Sequence, residues 1–212
     1  MKEPVGRHLL WSPEDGLGAL RRVLVDGGLV AFPTESSYGL GADPRDPRGV
    51  EAIYRLKGRS ASKALPVVAA SLEQVEELGA VLTSRQRAQL ASCWPAPLTV
   101  ILPLRQPDSI PAAAEDGTLA VRIPRHELLL ELLGELGPLT ATSANPSGES
   151  PYTEAPAVAA WLATAGEGSD SVRVVAAPAC SGAPPSTLVR WSPEGWEVLR
   201  QGPVPAPSSA KS

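Results

Sequence analysis

Residues 30–44 read VAFPTESSYGLGADP, and this stretch restricts the fold more than any other. The apolar run 29–32 has the length of a short buried strand. It stops at Pro33, which has no N–H to give to a ladder. Four small polar or acidic residues follow (Thr34, Glu35, Ser36, Ser37), then Tyr38 and the pair Gly39 and Gly41. A strand that ends in hydroxyls and glycines puts polar groups at the rim of a sheet with little bulk around them. Ligands bind at such rims in open α/β sheets. The same letters also suit an ordinary strand exit, with glycines for turn geometry and hydroxyls bonding nearby backbone. The rest of the chain has to decide.

Strand and helix signals alternate along it. Residues 5–10 read as a first strand. Ser12-Pro13-Glu14-Asp15 opens a helix with a capping hydroxyl, an early proline and acids at the positive end of the dipole. Leu17, Leu20, Val23 and Leu24 give that helix one apolar face, and Gly27-Gly28 stop it. Asp46-Pro47 starts a second helix with Val50, Ile53 and Tyr54 inward. Residues 65–69 (LPVVA) read as strand, and Ser71-x-x-Gln74 and Thr83-x-x-Gln86 have the form of capping boxes. The second of these helices ends at Trp94-Pro95. Residues 98–102 (LTVIL) and 119–123 (LAVRI) are strands separated by a polar loop, 103–117. A helix over 127–136 precedes a strand, 139–142, which runs into a hydroxyl-rich turn, 143–148. The remainder reads as helix 153–165, strand 172–175, a proline-rich surface loop 176–185, and a hairpin of 186–191 with 196–200. Residues 203–212 are too rich in Pro, Ser and Ala to fold. No repeat or internal linker interrupts residues 1–202, so one domain is expected. Alternating elements and a C-terminal hairpin make it α/β with a mixed sheet.

Composition excludes several classes. The 212 residues carry a net charge of −4, so nucleic-acid binding would have to rest on a local basic patch. The only cysteines are Cys93 and Cys180, and the only histidines His8 and His126. That gives no zinc motif and no disulfide framework, and it fits a reducing cytoplasm. The first residues lack the long apolar core of a secretion signal, and no run reaches transmembrane length. A cytoplasmic protein without a membrane partner is expected.

Four features are chemically costly. Lys57, Arg59 and Lys63 place three cations at a helix exit and the following loop, either as a solvated face or as a phosphate clamp. Arg122 sits mid-strand among apolar residues, where it must reach solvent or pair with an anion. The turn Thr142-Ser143-Ala144-Asn145-Pro146-Ser147-Gly148 offers small donors for an anion or a ribose. Ser186 and Thr187 enter the last hairpin and Arg200 leaves it. There is no GxxxxGK[ST] loop, no GxGxxG after a strand and no Ser-His-Asp or Cys-His set.

Taken in order, PTESSYGLG (33–41), KGRSASKAL (57–65), APLTVIL (96–102), LAVRIP (119–124), TSANPSG (142–148), STLVR (186–190) and EVLRQG (197–202) resemble the YrdC family in sequence and spacing. The resemblance implies a single α/β domain with a strongly twisted mixed sheet and flanking helices around a deep, positively lined cavity. It looks like the short form, without the extra C-terminal domain of longer relatives. It implies threonylcarbamoyl-adenylate synthesis: L-threonine, bicarbonate and ATP give threonylcarbamoyl-AMP and pyrophosphate, with Mg²⁺, for tRNA threonylcarbamoyladenosine. Transient contact with tRNA or with downstream threonylcarbamoyl-transfer proteins is implied as well. Carried over by motif position, Thr34, Arg122, Thr142 and Ser186 hold threonine. Arg59, Lys63, Thr118, Ser143, Asn145, Thr153 and Arg200 contact the nucleotide, and Lys57 with Arg59 neutralises charge in catalysis. Ser60, Ala64 and Ala96 depart from the family's usual proline, proline and glycine, and Val68 or Ala69 stands where a histidine is common. The rival readings are an RNA-binding module using the same cavity and a carbamoyl-transfer enzyme acting on another amine.

Overall fold

The computed structural model describes residues 10–58, 64–166 and 168–207. Among these, eleven strands and six α-helices follow one another as β1 (Leu10–Trp11), α1 (Leu17–Val25), β2 (Leu29–Pro33), β3 (Tyr38–Gly41), α2 (Pro47–Lys57), β4 (Val67–Val68), α3 (Leu72–Glu77), α4 (Ser84–Cys93), β5 (Leu98–Pro103), β6 (Thr118–Arg122), α5 (Glu127–Leu136), β7 (Leu139–Thr140), β8 (Thr142–Ser143), α6 (Ala155–Leu162), β9 (Val172–Val175), β10 (Thr187–Ser192) and β11 (Gly195–Arg200). The part of the expected first strand before Leu10 lies outside the described residues. The sixth helix is shorter at both ends than its sequence pattern suggested, because Glu154 in extended backbone starts it.

The strands form two sheets where the sequence suggested one. The first runs β1-β9-β2-β3-β8 and the second β11-β10-β5-β6-β4-β7. Both mix parallel and antiparallel pairs: β2 is parallel to β9 and antiparallel to β3, while β5 is antiparallel to β6 and parallel to β10. The chain leaves the second sheet at β7 and enters the first at β8, with only Ala141 between them. Local signals mark strands, but partner choice is set by residues far along the chain.

Burial explains the apolar runs. Alternate residues of β2 face two cores: Leu29 and Ala31 join the large cluster that includes Val67, Val100 and Val121. Val30 and Phe32 join a smaller one, with Trp11, Leu20, Leu24, Leu129 and Leu133 from β1, α1 and α5. A strand buried on both faces reads as continuous apolar sequence. Three helix starts behave as their sequences indicate, whereas Ser12-Pro13-Glu14-Asp15 forms a separate 3-10 turn over Pro13–Asp15 and α1 begins only after Gly16, whose positive φ breaks the two apart. Asp46 accepts from the Arg48 N–H, Ser71 from Gln74 and Thr83 from Gln86, the last as a capping box. His126 is an N-cap as well: its Nδ1 accepts from the Leu129 N–H.

YGLG is not a loop. It is β3, fully buried and paired antiparallel with β2. Neither Gly39 nor Gly41 has positive φ. They are glycines for close approach: a Cβ on Gly41 would lie 2.4 Å from the Thr140 carbonyl oxygen and 2.7 Å from Phe32. Residues 203–207, read from composition as unable to fold, run as irregular backbone against the second sheet. Val204 and Ala206 pack on the large core, and the Thr187 hydroxyl donates to the Val204 carbonyl. Among the described residues no helix is long and apolar enough to cross a membrane.

Candidate functional site

A cavity of about 550 Å³ opens where the two sheets meet. One wall comes from the β2–β3 turn and from β8, with Thr34, Ser36, Thr142 and Ser143. The other comes from the second sheet, with Thr99, Ala120, Arg122, Ser186, Leu188 and Arg200. Six of the residues expected from sequence therefore meet at one hollow: Thr34, Arg122, Thr142, Ser143, Ser186 and Arg200.

Their hydrogen bonds show how each is held. The Thr34 hydroxyl donates to the Ser37 carbonyl at 2.7 Å and accepts from the Ser36 and Ser37 N–H groups, so it shapes its own turn. Register places Ser143 opposite Gly39 and Thr142 opposite Leu40; a Cβ on Gly39 would meet the Phe32 ring at 2.7 Å. Ser186 shares a 2.7 Å hydroxyl–hydroxyl bond with Thr99. Arg200, on the neighbouring strand, donates to the Ser186 carbonyl through Nε and Nη2 at 3.1 and 2.9 Å. That fork fixes a cation at the cavity rim.

Arg122 is a largely buried charge on the cavity wall. Its side chain is only 12% exposed. The sequence left it a choice between solvent and a bound anion; the structure supplies a partner from within the chain. The Glu35 carboxylate, 17% exposed, stands 3.2 Å from Nη1. Burial pulls the Arg122 pKa below its ordinary value, Glu35 opposes that, and the nearby positive charge of Arg200 adds to the lowering. Glu35 is the Arg122 partner that the sequence reading did not identify. Its one signal was being the only acid in a turn of hydroxyls.

Lys57 is placed differently from a phosphate clamp. Its side chain is buried at the C-terminus of α2, where the ammonium donates to the Ser143 carbonyl and, at 2.8 Å, to the Asn145 carbonyl. It braces the 143–145 turn from behind, and it is not among the residues of the wall. Asn145 is buried in the same turn, with its amide nitrogen on the Pro146 and Glu149 carbonyls and its Oδ1 unpartnered. Thr118 lies at the far end of β6 and donates to Asp116 at 2.7 Å. Thr153 offers its carbonyl to the Cys180 N–H. Neither Thr118 nor Thr153 lines the cavity. Arg59 and Lys63 lie outside the described residues; the described chain resumes at Ala64, which is on the wall.

Tyr38 also lines the cavity, its hydroxyl donating to the Val175 carbonyl at 2.9 Å. Burial, reinforced by the Cys180 thiol, pushes its pKa up to about 12. The folded protein thus holds this proton more tightly than the unfolded chain, whose tyrosines titrate near 10. The resulting stability is complete below about pH 10 and is lost as pH rises toward 12. A tyrosinate absorbance titration is expected to contain a component near pH 12 that Tyr38→Phe removes.

The family model Sua5_yciO_yrdC, described as telomere recombination, matches residues 22–202. The chain belongs to the Sua5/YciO/YrdC family. Among its curated relatives, threonylcarbamoyl-AMP synthase of Saccharophagus degradans is 38% identical over 141 residues, covering 66% of this chain and 74% of the relative. Threonylcarbamoyl-AMP synthase of Pyrococcus abyssi is 42% identical over 153 residues, or 70% of this chain and 43% of the relative. P. abyssi Sua5 complexed with L-threonine superposes with a TM-score of 0.79 at 30% identity, covering 91% of this chain and 57% of that one. The chain thus spans little more than half the length of that structure. E. coli YciO, at 20% identity and a TM-score of 0.74, covers 92% of this chain and 94% of its own; it shares the fold.

Proposed function

We propose that this chain is an L-threonylcarbamoyladenylate synthase, which makes threonylcarbamoyl-AMP and pyrophosphate from L-threonine, bicarbonate and ATP. One observation carries the reading. Arg122 puts a buried guanidinium on the wall of a cavity whose opposite wall is hydroxyls, with Glu35 paired at Nη1. A cation so placed calls for a small carboxylate ligand that it can grip with its fork. The relatives' name and the threonine complex of a structural neighbour agree with that carboxylate being threonine's.

In this reading Arg122 holds the threonine carboxylate, and Thr34, Thr142 and Ser186 surround the rest of the amino acid. Ser143 and Arg200 face the nucleotide, joined by Arg59 and Lys63 from the segment that ends at Ala64. Lys57 and Asn145 set the shape of the turn that presents Ser143. Thr118 and Thr153, off the wall, have the weakest claim on the nucleotide. Threonine's amine and bicarbonate give a carbamate, which is already an anion and needs no strong base. Its oxygen attacks the α-phosphorus and pyrophosphate leaves, so the protein has to align the reactants and balance charge. The described wall residues offer hydroxyl oxygens and no carboxylate, which does not suit a resident Mg²⁺ site. Magnesium belongs to the triphosphate as substrate. The product would supply tRNA threonylcarbamoylation inside the cell.

The test is pyrophosphate release from ATP. It is expected to require both L-threonine and bicarbonate and to fall to background when either is omitted. Release that ignores threonine would favour carbamoyl transfer to another amine. Salt-sensitive RNA binding without any release would favour the RNA-binding reading.

A further inference from the structure

Glu35 has no part in the chemistry above, yet the fold holds it tightly. Its Oε1 accepts from the Arg125 N–H at 2.7 Å. Its carbonyl accepts from the Ser181 hydroxyl, and the next carbonyl, of Ser36, accepts from the Gly182 N–H at 2.9 Å. Arg125 is itself tied to the Pro95 carbonyl. Carboxylate and turn are thus fixed from three directions. The remaining oxygen, Oε2, is buried, makes no hydrogen bond, and faces Arg122. Glu35 stands behind the cavity wall while Arg122 stands on it.

We propose that Glu35 is the internal counter-anion of Arg122, aiming the guanidinium from behind and keeping the empty cavity from taking up simple anions such as inorganic phosphate. The electrostatics require some such device. Arg122 and Arg200 together make a concave cationic site, and such a site concentrates any anion. A carboxylate against Nη1 offsets the charge of Arg122 and leaves that of Arg200. A ligand that still binds must bring more than charge: a carboxylate shaped to the fork, and groups that bond to the hydroxyls opposite. Glu35 is then a positioning residue that sets specificity, and it acts only through Arg122. Naming threonine as the favoured ligand rests on the proposed function; the rejection of phosphate does not.

The experiment uses the full chain with Glu35→Gln, Glu35→Asp and the pair Glu35→Gln with Arg122→Met. Inorganic phosphate is titrated by calorimetry, L-threonine is followed by steady-state kinetics, and melting is recorded for each variant. Glu35→Gln is expected to bind phosphate about tenfold tighter than the parent, while its KM for threonine rises about tenfold and kcat stays within about threefold. Glu35→Asp, which keeps the charge, is expected to bind phosphate no tighter than the parent does. Glu35→Gln strands a buried cation and lowers the melting temperature. Adding Arg122→Met removes that cation and is expected to recover at least half of the loss. Phosphate affinity unchanged by Glu35→Gln would overturn the proposal. So would a double variant that melts no higher than Glu35→Gln alone. If the parent shows no response to threonine but the phosphate difference holds, the threonine reading fails and the role of Glu35 stands.

Discussion

Replacing Arg122 with lysine is expected to raise the KM for L-threonine by roughly 100-fold, while the affinity for ATP moves by less than about threefold. A factor of 100 corresponds to about 2.8 kcal/mol, within the range for losing charged hydrogen bonds in a desolvated site. Lysine keeps the charge that Glu35 needs, so the fold should survive. It cannot present a planar fork, so the substrate carboxylate would lose its two-point grip. Arg122→Ala goes further and leaves the Glu35 carboxylate buried without its cation, a change that typically costs about 3–5 kcal/mol. That variant is expected to lose threonine-dependent pyrophosphate release by at least about 1000-fold and to unfold at lower urea. Kinetics at saturating ATP and a urea titration separate the two effects. If Arg122→Lys handled threonine as the parent does, the carboxylate subsite would have to be sought elsewhere on the wall.

The sequence showed the pieces of this site more clearly than their assembly. Apolar runs such as LTVIL and caps such as Asp46, Ser71 and Thr83 are local signals, and each of these elements is present. YGLG was obscured because β3 has glycine at two of its four positions, and the reason for those glycines lies with Phe32 and Thr140. The division into two sheets was equally hidden. β9 inserts between β1 and β2, and β10 between β5 and β11, so neighbours in space are distant in sequence. The same distance hid the Glu35–Arg122 pair: both residues were in view, one as a turn acid and the other as a costly cation, but nothing local joins them. Family resemblance named six residues that line the cavity, yet it does not say which way a side chain turns at a helix end.

Lys57 makes that last point testable. Its partners are carbonyls 86 and 88 residues further along the chain, and they belong to the turn that carries Ser143. As a phosphate clamp, Lys57 would be dispensable for folding, and its loss would appear as weaker ATP binding alone. As a brace it behaves otherwise. Lys57→Met keeps the aliphatic length but leaves two buried carbonyls without this donor, at about 1–3 kcal/mol each. The variant is expected to lose about 3 kcal/mol of stability and, with Ser143 no longer held at the wall, at least about 100-fold in turnover. Both substrates should be affected together, because the turn borders the amino-acid side and the nucleotide side of the cavity. Lys57→Arg keeps donors for the carbonyls and should recover much of the stability. Urea midpoints, with KM measured separately for threonine and ATP, decide the matter. A Lys57→Met protein as stable as the parent, and defective toward ATP only, would return this lysine to the phosphates.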